Sequence, residues 1–105
     1  MKIFRTGLFS NSIRKLGASE AELDALESAI EVNPESGDMI PGLRGVRKIR
    51  FRLKGKGKSG GGRCIYLALV MENAVYLLLA YDKSVQADIS SAQRKAILDL
   101  VEELK

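Results

Sequence analysis

Histidine and tryptophan are both absent from this chain of 105 residues, and cysteine occurs only once. Without histidine, a site lacks the side chain that most often moves protons and binds metals near neutral pH. The single cysteine, Cys64, excludes an internal disulfide and a cysteine-rich zinc site. It lies in an apolar run, so we expect it to pack in the core. The sequence predicts no metal and no cofactor.

Long apolar runs are also missing. The two longest, residues 64–71 and 74–81, are strand-sized and fall far short of the roughly 20 residues that a membrane helix needs. Polar residues follow Met1–Arg5, where a signal peptide would continue with an apolar core. We therefore expect a single domain, residues 1–105, located in the cytoplasm.

Acidic residues are missing from one long segment. Between Met39 and Met71 there are nine basic residues and no Asp or Glu. The remaining eight cations and all 13 acids give the rest of the chain a net charge of −5, although the whole chain carries +4. A concentrated positive field attracts polyanions, most commonly nucleic acid. A solvated basic loop without a partner is the alternative.

Two capping boxes mark helix starts. In each, a serine accepts a hydrogen bond from a backbone N–H three residues later, where a Glu or Gln reaches back. They predict helices that begin after Ser19 and after Ser90, the first ending at Asn33-Pro34. A shorter helical turn over residues 12–16 would end at Gly17.

Strands are predicted at residues 1–9, 46–53, 63–71 and 74–82. The last two are joined tightly through Glu72-Asn73 and are apolar throughout, so we expect them to be central. The predicted fold class is α+β, with N-terminal helices and a C-terminal helix packed on one side of a small, mostly antiparallel sheet.

The strand at 46–53 alternates between apolar and basic residues. Ile49, Phe51 and Leu53 would face one side, and the residues between them the other. This alternation turns a run of charge into a ladder of cations on or near the open face of the sheet. The ladder consists of Lys48, Arg50 and Arg52.

The loop over residues 54–62 contains a spacing of glycines, Gly55–Gly60, that matches the dinucleotide-binding pattern. That motif requires a helix to follow, and a strand begins here at Arg63, so we reject a dinucleotide site and also a P-loop. The loop is either a soluble hairpin connection or a mobile arm whose lysines contact phosphates. Those lysines are Lys54, Lys56 and Lys58.

Three tyrosines, Tyr66, Tyr76 and Tyr81, lie in the apolar strands. Core packing is the default for each of them, and stacking on an unpaired base is the alternative. Tyr81 is the best candidate for stacking, because it lies at a strand end beside Asp82 and Lys83.

Four segments together resemble the HigB-like branch of the RelE/ParE toxin superfamily. They are residues 33–42, 45–50, 55–63 and 76–83, with the sequences NPESGDMIPG, GVRKIR, GKGKSGGGR and YLLLAYDK. The likeness runs in order over nearly the whole chain. Members of this superfamily are small α+β toxins of type II toxin–antitoxin modules.

The resemblance implies an activity and a site. RelE- and HigB-like members enter the ribosomal A site and cut mRNA, whereas ParE-like members poison DNA gyrase. Basic residues that the family uses in catalysis fall at Lys48, Arg50, Arg63 and Lys83. RelE also has a tyrosine a few residues beyond the last of these, where Ile89 stands here, so a base must come from elsewhere.

We therefore expect a toxin that acts as a ribosome-dependent mRNA endonuclease. The alternatives are a toxin of the same fold that binds another target such as DNA gyrase, and a non-toxic basic nucleic-acid-binding module. The expected partners are mRNA, the ribosomal A site and a cognate helix-turn-helix antitoxin. Further RNA contacts are expected from Arg47, Arg52, Lys54, Lys56, Lys58 and Tyr81.

Overall fold

The computed structural model describes residues 1–53 and 61–105. In this part of the chain five strands form one mixed sheet in the order β1-β5-β4-β3-β2, with β1 parallel to β5 and the other neighbours antiparallel. The arrangement confirms the predicted α+β class with a mostly antiparallel sheet. The strands are β1 (Lys2–Arg5), β2 (Asp38–Met39), β3 (Arg47–Phe51), β4 (Gly62–Leu69) and β5 (Ala74–Asp82), and the helices are α1 (Gly7–Leu16), α2 (Glu20–Val32) and α3 (Ser91–Leu104).

The first strand is shorter than predicted and the first helix is longer. Thr6 ends the extended segment, because its side chain accepts from the N–H of Phe9 (3.2 Å) and donates to the carbonyl of Leu77 (2.8 Å). This N-cap starts α1 at Gly7, so the expected strand to residue 9 and the short turn from residue 12 are wrong. The predicted helix end at Gly17 is confirmed by its left-handed φ of 70°.

Both capping boxes form as predicted. Ser19 accepts from the N–H of Glu22 (3.1 Å) and the Glu22 carboxylate accepts from the N–H of Ser19 (2.9 Å), while Ser90 and Gln93 make the same exchange (3.1 and 2.8 Å). No helix within residues 1–53 and 61–105 is long and apolar enough to cross a membrane.

The apolar core has two halves, one on each face of the sheet. Helices α1 and α2 pack on the face that carries Cys64 and Tyr66, and α3 packs on the face that carries Ile65 and Leu67. The expectation that all helices lie on one side is therefore wrong. Strands β4 and β5 are apolar on both faces, and such strands require cover on both.

A β-bulge interrupts the pairing of the two central strands. Ile65 pairs with Leu79 and Tyr66 with Leu77, so Leu78 has no partner across the ladder. As a result Leu77 faces α1 and α2, whereas Leu78 and Leu79 both contribute to the core beneath α3. The bulge places Tyr81, near the end of β5, on the α3 face.

Candidate active site

Three neighbouring strands bring basic and phenolic side chains into one row. Arg50 of β3 pairs with Arg63 of β4, and Arg63 pairs with Tyr81 of β5. Residues directly opposite each other project from the same face, and like charges in this relation destabilise a sheet. Lys48 lies on the same face as Arg50, about 7 Å along the strand. Two opposed arginines are thus well suited to hold an anion between them.

A cavity of about 230 Å³ lies over this row, at the end of the sheet face that α3 leaves uncovered. All four predicted catalytic residues line it, together with Tyr81. The complete lining is Asp38, Lys48, Arg50, Arg63, Tyr81, Lys83 and Ala87. The structure therefore brings together four predicted catalytic residues that are up to 35 positions apart in the sequence.

The side chains of the two arginines in the row differ in how firmly they are held. Arg63 is buried, with 8% of its surface exposed, and its Nη1 donates to the carbonyl of Gly62 (3.0 Å). Arg50 is exposed at the rim of the cavity. One guanidinium is thus fixed in advance, which favours preorganised binding of charge, and the other can follow a ligand.

Asp88 is a residue of the site that the sequence analysis missed. Its Oδ1 lies 3.4 Å from Lys48 Nζ, accepts from the hydroxyl of Tyr81 (3.5 Å) and accepts from the N–H of Ile89 (2.8 Å). The backbone hydrogen bond from Ile89, with a further contribution from the charge of Lys48, lowers the pKa of Asp88 below its ordinary value. Asp88 is therefore an ionised carboxylate facing the cationic row.

The loop that carries Asp88 is tied to the start of α3. The side-chain amide of Gln86 donates both to the carbonyl of Asp88 and to Gln93 Oε1, each at 2.8 Å. At the other end of the loop, Asp82 accepts from the N–H (2.9 Å) and the hydroxyl (2.7 Å) of Ser84. These bonds hold the Asp88 carboxylate next to Lys48.

Tyr81 contributes a hydroxyl and not an open ring. Only 3% of the residue is exposed, and its ring belongs to the core beneath α3. Burial raises the pKa of Tyr81, and the Asp88 charge raises it further against the opposing charge of Arg63. At neutral pH the phenol keeps its proton and acts as a hydrogen-bond donor. Stacking of a base on this ring, the use expected from its position in the sequence, would require the core to open.

Two of the remaining predicted RNA contacts, Arg47 and Arg52, do not line the cavity. Arg47 is on the α1/α2 face, where its Nη1 donates to the carbonyls of Gly37 (2.8 Å) and Glu35 (3.1 Å). Arg52 is exposed just beyond β3 and does not line the cavity. Lys54, Lys56 and Lys58 lie outside the described residues.

Asp38 also lines the cavity and was not singled out by the sequence analysis. It belongs to a strand of two residues within a turn-rich segment, which has no periodicity to detect. Asp88 gave no signal either, because 40 positions separate it from Lys48. Within the described ranges, no group of three or more His, Cys, Asp or Glu side chains could hold a metal ion.

Comparison with known proteins connects this geometry to a family. A family model described as the RelE toxin of the RelE/RelB toxin–antitoxin system matches residues 1–105. The solved structure of a double arginine-to-alanine mutant of the E. coli toxin RelE in the free state superposes with a TM-score of 0.58. The alignment covers 95% of this chain and 96% of that chain at 11% identity, a level that shows a shared fold alone.

Proposed function

Because this chain belongs to the RelE toxin family of toxin–antitoxin systems, we propose that it cleaves mRNA on the ribosome and so inhibits translation in the cytoplasm. The observation that carries the proposal is the row formed by Arg50, Arg63 and Tyr81, with Lys48 and Lys83 around the same cavity. The proposed partners are mRNA in the ribosomal A site and a helix-turn-helix antitoxin.

The proposed reaction is an internal phosphoryl transfer. The ribose 2′-oxygen forms a bond to the adjacent phosphorus, and the bond from phosphorus to the 5′-oxygen of the next nucleotide breaks. The products are a 2′,3′-cyclic phosphate and a 5′-hydroxyl. The site must remove the 2′ proton, stabilise the charge that builds on the phosphorane and protonate the leaving oxygen.

Arg50 and Arg63 are proposed to hold the phosphate. A guanidinium offers a planar fork of donors that matches two phosphate oxygens, and the two forks come from directly opposite positions on β3 and β4. An anion between them relieves their mutual repulsion, and this relief grows as charge accumulates on the phosphorane. The arrangement therefore favours the transition state over the ground state.

Lys48 is proposed as the proton acceptor. An arginine does not give up its proton, and Tyr81 retains its own. In the resting site the ammonium of Lys48 faces the Asp88 carboxylate at 3.4 Å and has no lone pair. This pair must therefore open, and Lys48 must release one proton to solvent, before its amine accepts the 2′ proton. Lys83, beyond Tyr81 at the end of β5, is proposed to protonate the leaving 5′-oxygen. The ribosome supplies positioning, which is worth ~7–11 kcal/mol when geometry is right.

The test is primer-extension mapping of a reporter mRNA incubated with purified protein, with and without programmed ribosomes. We expect cuts within codons that depend on ribosomes and are lost in Lys48→Ala and Arg50→Ala. Lys95→Ala is the matched control, because it also removes one cation, but from an exposed position on α3 where it pairs with Asp99.

Two outcomes would contradict the assignment. Wild-type rates in both Lys48→Ala and Arg50→Ala would show that the row is not the site of cleavage. Intact mRNA in every reaction, from protein that still arrests growth, would instead support a toxin that acts by binding another target. A DNA-gyrase supercoiling assay on the same preparation would then follow.

A further inference from the structure

A second depression adjoins the cationic cavity, and the two share a wall made of Asp38, Lys48 and Arg50. Its volume is about 270 Å³, and Ser36 and Gly37 contribute to its far side. We propose that this depression is a nucleobase subsite in which the Asp38 carboxylate selects guanine. The inference rests on the proposed function, because it places the base beside a phosphate held by Arg50 and Arg63.

The register of the sheet fixes the position of Asp38. It pairs directly with Lys48 across β2 and β3, so both side chains project from the α3 face. Over residues 1–53 and 61–105, Asp38 makes no side-chain hydrogen bond or ion pair, whereas Asp88 engages Lys48. Of the two carboxylates near Lys48, only Asp38 is thus available to a ligand.

The backbone beneath Asp38 is firmly held. The N–H of Gly37 donates to the hydroxyl of the fully buried Tyr66 (2.9 Å), and that hydroxyl donates to the carbonyl of Pro34 (2.8 Å). Arg47 donates to the carbonyl of Gly37 from the same side. A Cβ at Gly37 would lie 2.8 Å from the Tyr66 ring, so the close approach requires glycine. This support fixes the backbone next to Asp38 and so limits the space that its exposed carboxylate can reach.

A carboxylate is out of place in a pocket that binds only phosphate. It repels the phosphate charge and can accept hydrogen bonds but not donate them. The group that suits it is a base edge with N–H donors. Guanine offers N1–H and the N2 amino group side by side, one for each carboxylate oxygen. Uracil offers a single N–H between two carbonyl oxygens, and those oxygens face the carboxylate unfavourably.

The two depressions together match one nucleotide. The phosphate lies between the opposed arginines, the base lies on the Asp38 side, and Lys48 stands between them near the ribose. In this arrangement the identity of the base affects where the chain is cut. Guanine is favoured, adenine and cytosine with one exocyclic amino group follow, and uracil is disfavoured.

The first test is binding of guanosine 3′-monophosphate and uridine 3′-monophosphate to the purified protein, followed by NMR. A bidentate contact to a base edge discriminates by about 1–3 kcal/mol, so we expect wild type to favour guanosine by about tenfold or more. Asp38→Asn should lose this preference, because an amide cannot accept both hydrogen bonds. The control Asp24→Asn removes one charge from the exposed face of α2 and should retain the preference. Equal affinities in wild type, or an unchanged preference in Asp38→Asn, would overturn the subsite.

The second test is the ratio of ribosome-dependent cuts beside guanine to those beside uracil. We expect this ratio to fall about tenfold in Asp38→Asn, by the same discrimination energy. A loss of equal size at every position would show that Asp38 acts only through charge or structure, and would overturn the proposal. If wild type prefers guanosine 3′-monophosphate but cuts no mRNA, the proposed cleavage fails and the subsite stands. If the protein cuts mRNA on the ribosome without any base preference, the proposed cleavage stands and the guanine subsite is overturned.

Discussion

The two faces of β3 use the same residue type in different ways. On the α1/α2 face, the guanidinium of Arg47 is bound by the carbonyls of Gly37 and Glu35. On the α3 face, Arg50 stands at the rim of a cavity, opposite a second arginine, Arg63. One arginine stabilises the fold, and the other is placed against a like charge at a cost to the fold. The comparison shows that the acceptors around a cation, and not its charge, separate a structural arginine from a candidate site residue.

Arg5, which lies outside the segment from Met39 to Met71, is held by carboxylates. Its Nε donates to Glu27 (2.7 Å), and Glu20 lies 3.4 Å from its Nη1. The hydrogen bond to Glu27 raises the pKa of Arg5, against a smaller effect of burial. This cation is neutralised by carboxylates on α2. Arg50, by contrast, has no ion pair with a carboxylate over residues 1–53 and 61–105.

The largest expected effect is on the rate of cleavage and concerns the α3 face of β3. Arg50→Ala should slow ribosome-dependent cleavage by about 10²–10³-fold, since removal of one donor to a developing oxyanion has an effect of that size. Its unfolding transition should be at least as high as that of wild type, because Arg50 is exposed and its removal relieves the repulsion with Arg63. Single-turnover primer extension measures the rate. A rate equal to that of Lys95→Ala would contradict the role of Arg50.

The second effect is on stability and concerns the other face. Arg47→Ala should lower the free energy of unfolding by about 1.5–3 kcal/mol, because two carbonyls lose a charged donor. Urea denaturation followed by circular dichroism measures the change, with Arg50→Ala as the control. An Arg47→Ala variant as stable as wild type, with cleavage abolished, would instead support the RNA contact that the sequence analysis expected of Arg47.

A smaller difference is expected in the salt dependence of RNA binding. Each cation that neutralises a phosphate of a single strand contributes about 0.7 to the slope of log K against log salt. Arg50→Gln should reduce the slope by about that amount, and Arg47→Gln should leave it unchanged. Fluorescence anisotropy with a short labelled RNA at several salt concentrations gives both slopes. Equal reductions in the two variants would remove the distinction between the faces.

The smallest effect is on the titration of Tyr81. Burial and the neighbouring Asp88 carboxylate hold the Tyr81 pKa above its ordinary value of 10.0. Asp88→Asn should therefore lower the pKa of Tyr81, but the increase in pKa that burial causes should remain. The ultraviolet absorbance of tyrosinate measures the titration. The Tyr81→Phe variant shows which step of the titration curve belongs to Tyr81, because that step is missing from it.

The same shift affects stability in alkaline solution. Because the folded state holds the phenolic proton more tightly than the unfolded chain does, the contribution of Tyr81 to stability is constant below pH 10.0 and falls as the pH rises above it. The fall should be smaller in Asp88→Asn than in wild type. An identical fall in both would show that the Asp88 carboxylate does not act on Tyr81.

Features encoded locally were predictable from the sequence. The capping boxes of α2 and α3 and the strand β5 were found because their signals lie within a few residues of each element. The start of α1 was missed, because Thr6 acts as its N-cap through a contact to Leu77 far along the chain. The apolar sequences of β4 and β5 imply cover on both faces of the sheet, although the expectation was that all helices lie on one side.

The candidate site was predictable in part. The period of two along β3 placed Lys48 and Arg50 on one face, and the family resemblance added Arg63 and Lys83. Asp38 and Asp88 depend on the register between strands and on a loop that folds back over 40 positions, which no local pattern contains. For the same reason the alternation could put Arg47 on the opposite face but could not show which carbonyls bind it.

The unpaired Leu78 determines from which face of the sheet each later residue of β5 projects. From Ala74 to Leu77 the odd positions face α1 and α2, and after Leu78 the even position Ala80 does so. If the same residues paired without the bulge, Leu79 and Tyr81 would project from the face of Leu77, and the phenol of Tyr81 would lie on the far side of the sheet. Deletion of Leu78 should therefore keep Tyr81 opposite Arg63, because it removes the extra residue and leaves a regular ladder. The bulge thus accommodates one extra residue while both ends of β5 keep the faces that their neighbours on β4 require.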